Sequence, residues 1–261
     1  MDRSFLSQPD VIAASRSFVC VRLATYEDEK EGAFLKAFHV TRSGELENTV
    51  FAILSPDGKR QLARASRGAD HTFGDAARMA ETMTRIAGAY AVKHAGGPPP
   101  ELPKVANVRL AIDVAACDNQ PLVLVFSPDA KVRQDLEERL AALAWSDQFL
   151  GRFVYASASA AGELADIEGA KAEAGILVIQ SDKFGLKGQV LTRAAAAIPQ
   201  EELIACLQEG ARLYHREEKT FTGHVREGHQ KGVFWETVLP VTDPMEQPAR
   251  ERGRASRKDL P

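Results

Sequence analysis

The side chains able to do chemistry are few and scattered. Cys20, Cys117 and Cys206 lie far apart, forming neither a CxxC pair nor a spacing suited to shared metal ligation. Cys20 alternates with Val19 and Val21, and Cys206 falls beside Leu203 and Leu207 at helical spacing. Both are expected to be small buried hydrophobes, because apolar surroundings raise a thiol pKa and silence it. Cys117, in the polar stretch DVAACDNQ, is expected to be exposed, yet it has no basic sequence neighbour to make it a thiolate. His224 and His229 miss the i, i+4 spacing that puts two imidazoles on one helix face, and Gly228 argues against a helix there, so they are only weak metal ligands. Thr25-Tyr26-Glu27-Asp28-Glu29 gathers a phenol and three carboxylates that could hold a cation or a basic peptide. Acids at the start of a helix are explained as well by the macrodipole. Arg60, Arg64 and Arg67 could form a basic strip for an anion, although their alternation with Leu62 and Ala65 fits a solvated strand face better. Phe221, Phe234 and Trp235, near the C-terminal end, are large aromatics that need cover, from this chain or from another.

The composition sets bounds on what these residues serve. The chain has 261 residues, 44% of them hydrophobic and 26% charged, which excludes disordered, collagen-like and disulfide-scaffold classes. A formal charge of -3 supplies no overall field for nucleic acid or an anionic membrane. The first ten residues hold no apolar run of the secretory type, and with reduced cysteines a cytoplasmic location is expected. No GxxxxGK[ST], GxGxxG after a strand, GxSxG or HExxH is present, so the common nucleotide, hydride, hydrolase and zinc-protease devices are missing and no cofactor is expected.

Periodicity and turn residues divide the chain. Gly96-Gly97-Pro98-Pro99-Pro100 marks a linker over residues 96–106, separating a domain at 1–95 from one at 107–218, with a tail at 219–261 whose basic end is expected to be solvated. The first segment reads as a helix after Gln8-Pro9-Asp10, a strand over Phe18 to Leu23, and a helix in EDEKEGAFLKAFHV. A strand from Asn48 to Leu54, a Pro56-Asp57-Gly58 turn into a second arm, and a helix with Met79, Met83, Ile86 and Tyr90 on one face complete it. The second segment reads as strands at Val108 to Ile112 and Pro121 to Phe126, a helix opened by Ser127-Pro128-Asp129, and a strand FVYASAS. A helical LADIEGAKAEA, strands ILVIQ and QVLTRA, and a final helix EELIACLQEGARLYHR follow.

These orders, with FLSQPDVIAASRSFVCVRL entering the first segment and TVFAILSPDGKRQLARASR forming its hairpin, resemble the thioredoxin-like fold. The resemblance implies an α/β protein of two thioredoxin-like domains, each a mixed sheet with flanking helices, plus an extended C-terminal tail. It places the family's active loop at Thr25-Tyr26-Glu27-Asp28, with Asn48 and Thr49 facing it, and in the second segment at Ser127-Pro128-Asp129 against Glu173-Ala174-Gly175. Neither place carries the CxxC or the proline that disulfide exchange uses.

The chain is therefore expected to be a redox-inactive binding or assembly module. Tyr26, Glu27, Asp28, Asn48, Thr49, Phe221, Phe234 and Trp235 are its candidate contact residues, and a protein partner or a second copy is held through the tail. The competing readings are a thiol-handling oxidoreductase using Cys117 or Cys20, and a metal-binding protein using His224 and His229.

Overall fold

The computed structural model describes residues 5–21, 23, 28–40, 44, 50–90 and 101–233, which fall into two compact units, one on each side of residues 91–100. Tyr26, Glu27, Asn48, Thr49, Phe234 and Trp235 lie outside the described residues. The protein is α/β, with one main sheet of five strands and a separate two-stranded hairpin.

The first unit is helical around its hairpin. Pro9 sits in the first turn of α1 (Pro9–Ser15), and the carboxylate of Asp28 caps α2 (Glu29–Lys36) by accepting from the Lys30 and Glu31 amides at 2.8 and 3.1 Å. Strands β1 (Phe51–Leu54) and β2 (Gln61–Ser66) pair antiparallel across the Pro-Asp-Gly turn, where Gly58 takes the positive φ that the turn needs. Short α3 (Ala69–Phe73) and amphipathic α4 (Ala76–Tyr90) close a core of Val11, Ile53, Phe73, Met79, Met83 and Ile86. Tyr90 is not on that buried face; its hydroxyl accepts from Arg60. Two expectations fail here. Val19 to Val21 form no strand, and Val19 and Val21 are 68% and 70% exposed, so β-branched composition alone does not make a strand without a partner edge. Among the described residues this unit has only a hairpin, not the four-stranded sheet of a thioredoxin-like domain.

The second unit carries the main sheet. Glu101 to Val105, within the expected linker, instead run against it: Leu102 is buried, Trp145 donates to the Glu101 carbonyl, and the Val105 amide donates to Tyr155. Residues 108–112 were expected as a strand and are the first turns of α5 (Val108–Asp118). Asn107 caps it, Val108, Ala111, Ile112, Ala115 and Ala116 recur at helical spacing on its buried face, and Asn119 ends it in the left-handed region. Next come β3 (Leu122–Phe126), α6 (Ala130–Ala144) and β4 (Val154–Ala158). The Ala- and Glu-rich stretch read as a helix is a single 3-10 turn at Ala161–Leu164 and the short strand β5 (Ile167–Glu168), ended by Gly169 at φ 78°. Strands β6 (Gly175–Ser181) and β7 (Gly188–Ala195) lead into α7 (Gln200–Leu213).

The sheet order is β4-β3-β6-β7-β5, with β3 parallel to β4 and antiparallel to β6, and β6 antiparallel to β7. Every residue of β3 is buried, as a central strand covered on both faces requires. One face packs on α6 and α7 through Leu136, Leu140, Leu203 and Leu207, and the other on α5 through Ala111, Ile112 and Ala115. The tail beyond residue 219 was expected to be extended, yet Phe221–Gln230 forms α8. Among the described residues no helix is long and apolar enough to cross a membrane.

Candidate functional site

Two places in the second unit merit a functional reading. The first is the β3–α6 junction, at the carboxyl end of the parallel pair, where open α/β sheets bind ligands. Phe126 pairs with Gly175, which brings the turn after β3 beside the residues that enter β6. The junction is closed on itself. Asp129 accepts from the Lys131 and Val132 amides at 2.8 and 3.1 Å, its own amide donates to the fully buried Ser127 hydroxyl at 3.1 Å, and Arg133 donates to the Ser127 carbonyl at 2.8 Å. Beside it Glu163 accepts from the Ser159 and Ala160 amides, which hold its carboxyl below the usual range. These groups cap a helix and a turn.

The second place surrounds α8. It is built from the β6–β7 turn, where Asp182 accepts from the Phe184 and Leu186 amides at 3.1 and 2.9 Å and Gly185 takes φ 68°. That turn projects Lys183 and Phe184. The chain after α7 is strapped across the sheet end by Gln180, which exchanges bonds with the His215 backbone, and by Asn119, which accepts from the Glu217 amide at 3.0 Å and donates to its carbonyl at 2.7 Å. Lys219 is fixed by donating to the Ala116 carbonyl at 2.7 Å. On this strap α8 lays His224 flat on Phe184, with ring centroids 4.9 Å apart and planes at 21°. Glu227 forms ion pairs with Lys183 and Lys231, whose ammoniums also stand 5.6 and 5.3 Å from the Phe184 centroid. Hydrogen bonds from the two lysines hold the Glu227 carboxyl down to about 2. Burial, then Lys219 and Lys183, pulls His224 below its ordinary value and so favours its neutral imidazole. Its buried Nδ1 has no hydrogen-bond partner.

The helix at α8 overturns the expectation drawn from Gly228. That glycine is buried against the edge of Phe184, 3.4 Å from where a Cβ would stand, and tertiary contact outweighs its low helix propensity. His224 and His229, five residues apart, point about 140° from each other around the helix. Among the described residues no three His, Cys, Asp or Glu side chains converge on a metal position. Phe221 does not clasp the fold; it is 80% exposed, and the helix docks instead through His224, Glu227 and Gly228. Asp28 is a helix cap, and Arg60, Arg64 and Arg67 are exposed, in keeping with a solvated strand face.

The cysteines fall differently from expectation in one case. Cys117 is exposed as expected and Cys206 is half-buried against the α7 core face, where burial raises its thiol. Cys20 was expected to be buried and is exposed, since no strand forms around it, although shielding of the sulfur still raises its pKa. Sequence reasoning found His224 but missed Lys183, Phe184 and Lys219. No known protein family, curated protein or solved structure matches the chain.

Proposed function

We propose that the chain is a non-catalytic binding or assembly module, built on a thioredoxin-like second unit that works by surface contact and not by electron transfer. The order β4-β3-β6-β7, with a parallel βαβ half, an antiparallel ββα half, and α6 and α7 together on one face, supports the fold part of this reading. The observation that carries the functional part is the β3–α6 junction: where a disulfide exchanger keeps its thiols this chain has Ser127-Pro128-Asp129, with polar atoms engaged in capping. The partner is a second protein chain, of the same or another kind, held by the outer face of α8. There Phe221 and Val225, one turn apart, are 80% and 37% exposed, an arrangement suited to an interface anchor.

The test pairs thiol titration of the native protein and an insulin-reduction assay with light scattering of the full chain and its Phe221→Ser variant. Insulin reduction at background level, with association reduced at least tenfold in the variant, supports the module. A thiol reacting rapidly near neutral pH, with disulfide exchange lost in Cys117→Ser or Cys20→Ser, replaces it with the thiol-handling enzyme.

A further inference from the structure

We infer that the concave surface between α8 and the β6–β7 turn is a binding site for a phosphate group. The inference does not depend on the partner reading. The concavity is about 370 Å³, large enough for a phosphorylated small molecule, and its wall carries Lys183, Lys219 and Arg226 against Glu218 and Glu227. Glu227 is already engaged by Lys183 and by Lys231 from outside the wall, so its charge is neutralised locally. Arg226, by contrast, makes no ion pair among the described residues, and its guanidinium offers a two-pronged donor at the rim.

The remaining donors line the same concavity. Thr220 makes no side-chain cap at the start of α8, so the first amides of the helix are left for an external acceptor, and the helix dipole adds partial positive charge there. Gly223 lies on the wall; a Cβ there would come 2.7 Å from the Thr220 hydroxyl, so a larger residue would crowd that end. His224 completes the set. Its buried Nδ1 lacks an acceptor, which favours the tautomer with the proton on Nε2, because an orphaned buried N–H is rarer than an orphaned lone pair. That N–H is then free to donate to an anion. A guanidinium fork, two ammonium groups, an imidazole N–H and helix amides line one concavity, a donor set suited to the several oxygens of a phosphate.

The experiment is an NMR titration of the full chain with inorganic phosphate, with glycerol 3-phosphate, and with sodium chloride at matched ionic strength, following the Gly223 amide and the His224 ring. Saturable shifts with a Kd of about 1 mM or tighter are expected for the phosphates and not for chloride. Tighter binding of glycerol 3-phosphate would assign the site to a phosphomonoester, and equal or tighter binding of inorganic phosphate to the free ion. Arg226→Gln is expected to weaken binding about tenfold and Arg226→Glu more. Because Arg226 makes no ion pair among the described residues, both variants should keep the rest of the spectrum unchanged. Chloride reproducing the shifts, or affinity unchanged in both variants, would overturn the inference.

Discussion

Replacing Gly210 by alanine tests the packing on which the ββα half of the second unit rests. Gly210 lies in α7 directly above β6 and β7, and an alanine Cβ there would stand 2.6 and 2.7 Å from Val178 Cγ1 and Cβ and 2.9 Å from Thr192 Oγ1. Ordinary contact is about 3.5–4.0 Å, so roughly 1 Å must be recovered. Val178 is fully buried and stiff at χ1, and Thr192 is tied to the Cys206 carbonyl at 3.1 Å, so neither side chain can swing away cheaply. The helix itself must lift, loosening Leu203 and Leu207, both fully buried. Overpacking of this kind costs about 1–3 kcal/mol, offset by about 1 kcal/mol from the better helix propensity of alanine. The expected net loss is up to about 2 kcal/mol, read by urea unfolding with tryptophan fluorescence and far-UV circular dichroism. Gly88→Ala in α4 is the control, since nothing lies within 4 Å of its Cβ position and only the propensity gain of about 1 kcal/mol remains. An unfolding midpoint for Gly210→Ala above that of the parent chain would refute the close seating of α7 on the sheet.

Two further outcomes concern α8. Gly228→Ala is expected to be tolerated and to slow amide exchange across Phe221–Gln230, because its Cβ would meet Phe184 at an ordinary 3.4 Å; loss of the Phe184–His224 ring contact would show that the glycine is required. Acid should undock the helix. The Glu227 carboxyl is held below its ordinary value by Lys183 and Lys231, so its contribution is present above about pH 4.5 and is lost as pH falls toward 2. Protection of the α8 amides should follow that window, and Glu227→Gln should lower it already at pH 6; a parent chain with the same α8 amide protection from pH 6 to 2 would contradict the docking.

The readability of the second unit differs from element to element for physical reasons. The run Leu122 to Phe126, short, apolar throughout and rich in valine, suits a central strand covered on both faces, and all five residues are buried. The Asp129 cap likewise announces α6. Val108-Arg109-Leu110-Ala111-Ile112 was misread because β-branched composition was weighed over period. The helical signal was present in the Asn107 cap and in the return of small apolar residues at Ala115 and Ala116. The opposite error befell Leu164 to Ala174, where helix-forming residues are interrupted by Gly169 in a conformation that no helix continues through.

The α8 site was half legible for a different reason. His224 is conspicuous in the sequence, but its role is set by Lys183 and Phe184, which reach it only because the β6–β7 turn ends where the Gln180 and Asn119 strap lays down the following chain. Local propensity at Phe221–Gln230 is poor, with two glycines and several β-formers, so the helix owes its existence to those contacts. The same dependence makes the site responsive: whatever neutralises Glu227 removes partners from Lys183 and Lys231 and loosens α8, while an anion held between Arg226 and His224 would tie it down. Phe221 and Val225 are exposed on the outer face of the same helix, so if the proposed anion binds at the inner face and orders α8, any partner held through Phe221 should bind more tightly in its presence.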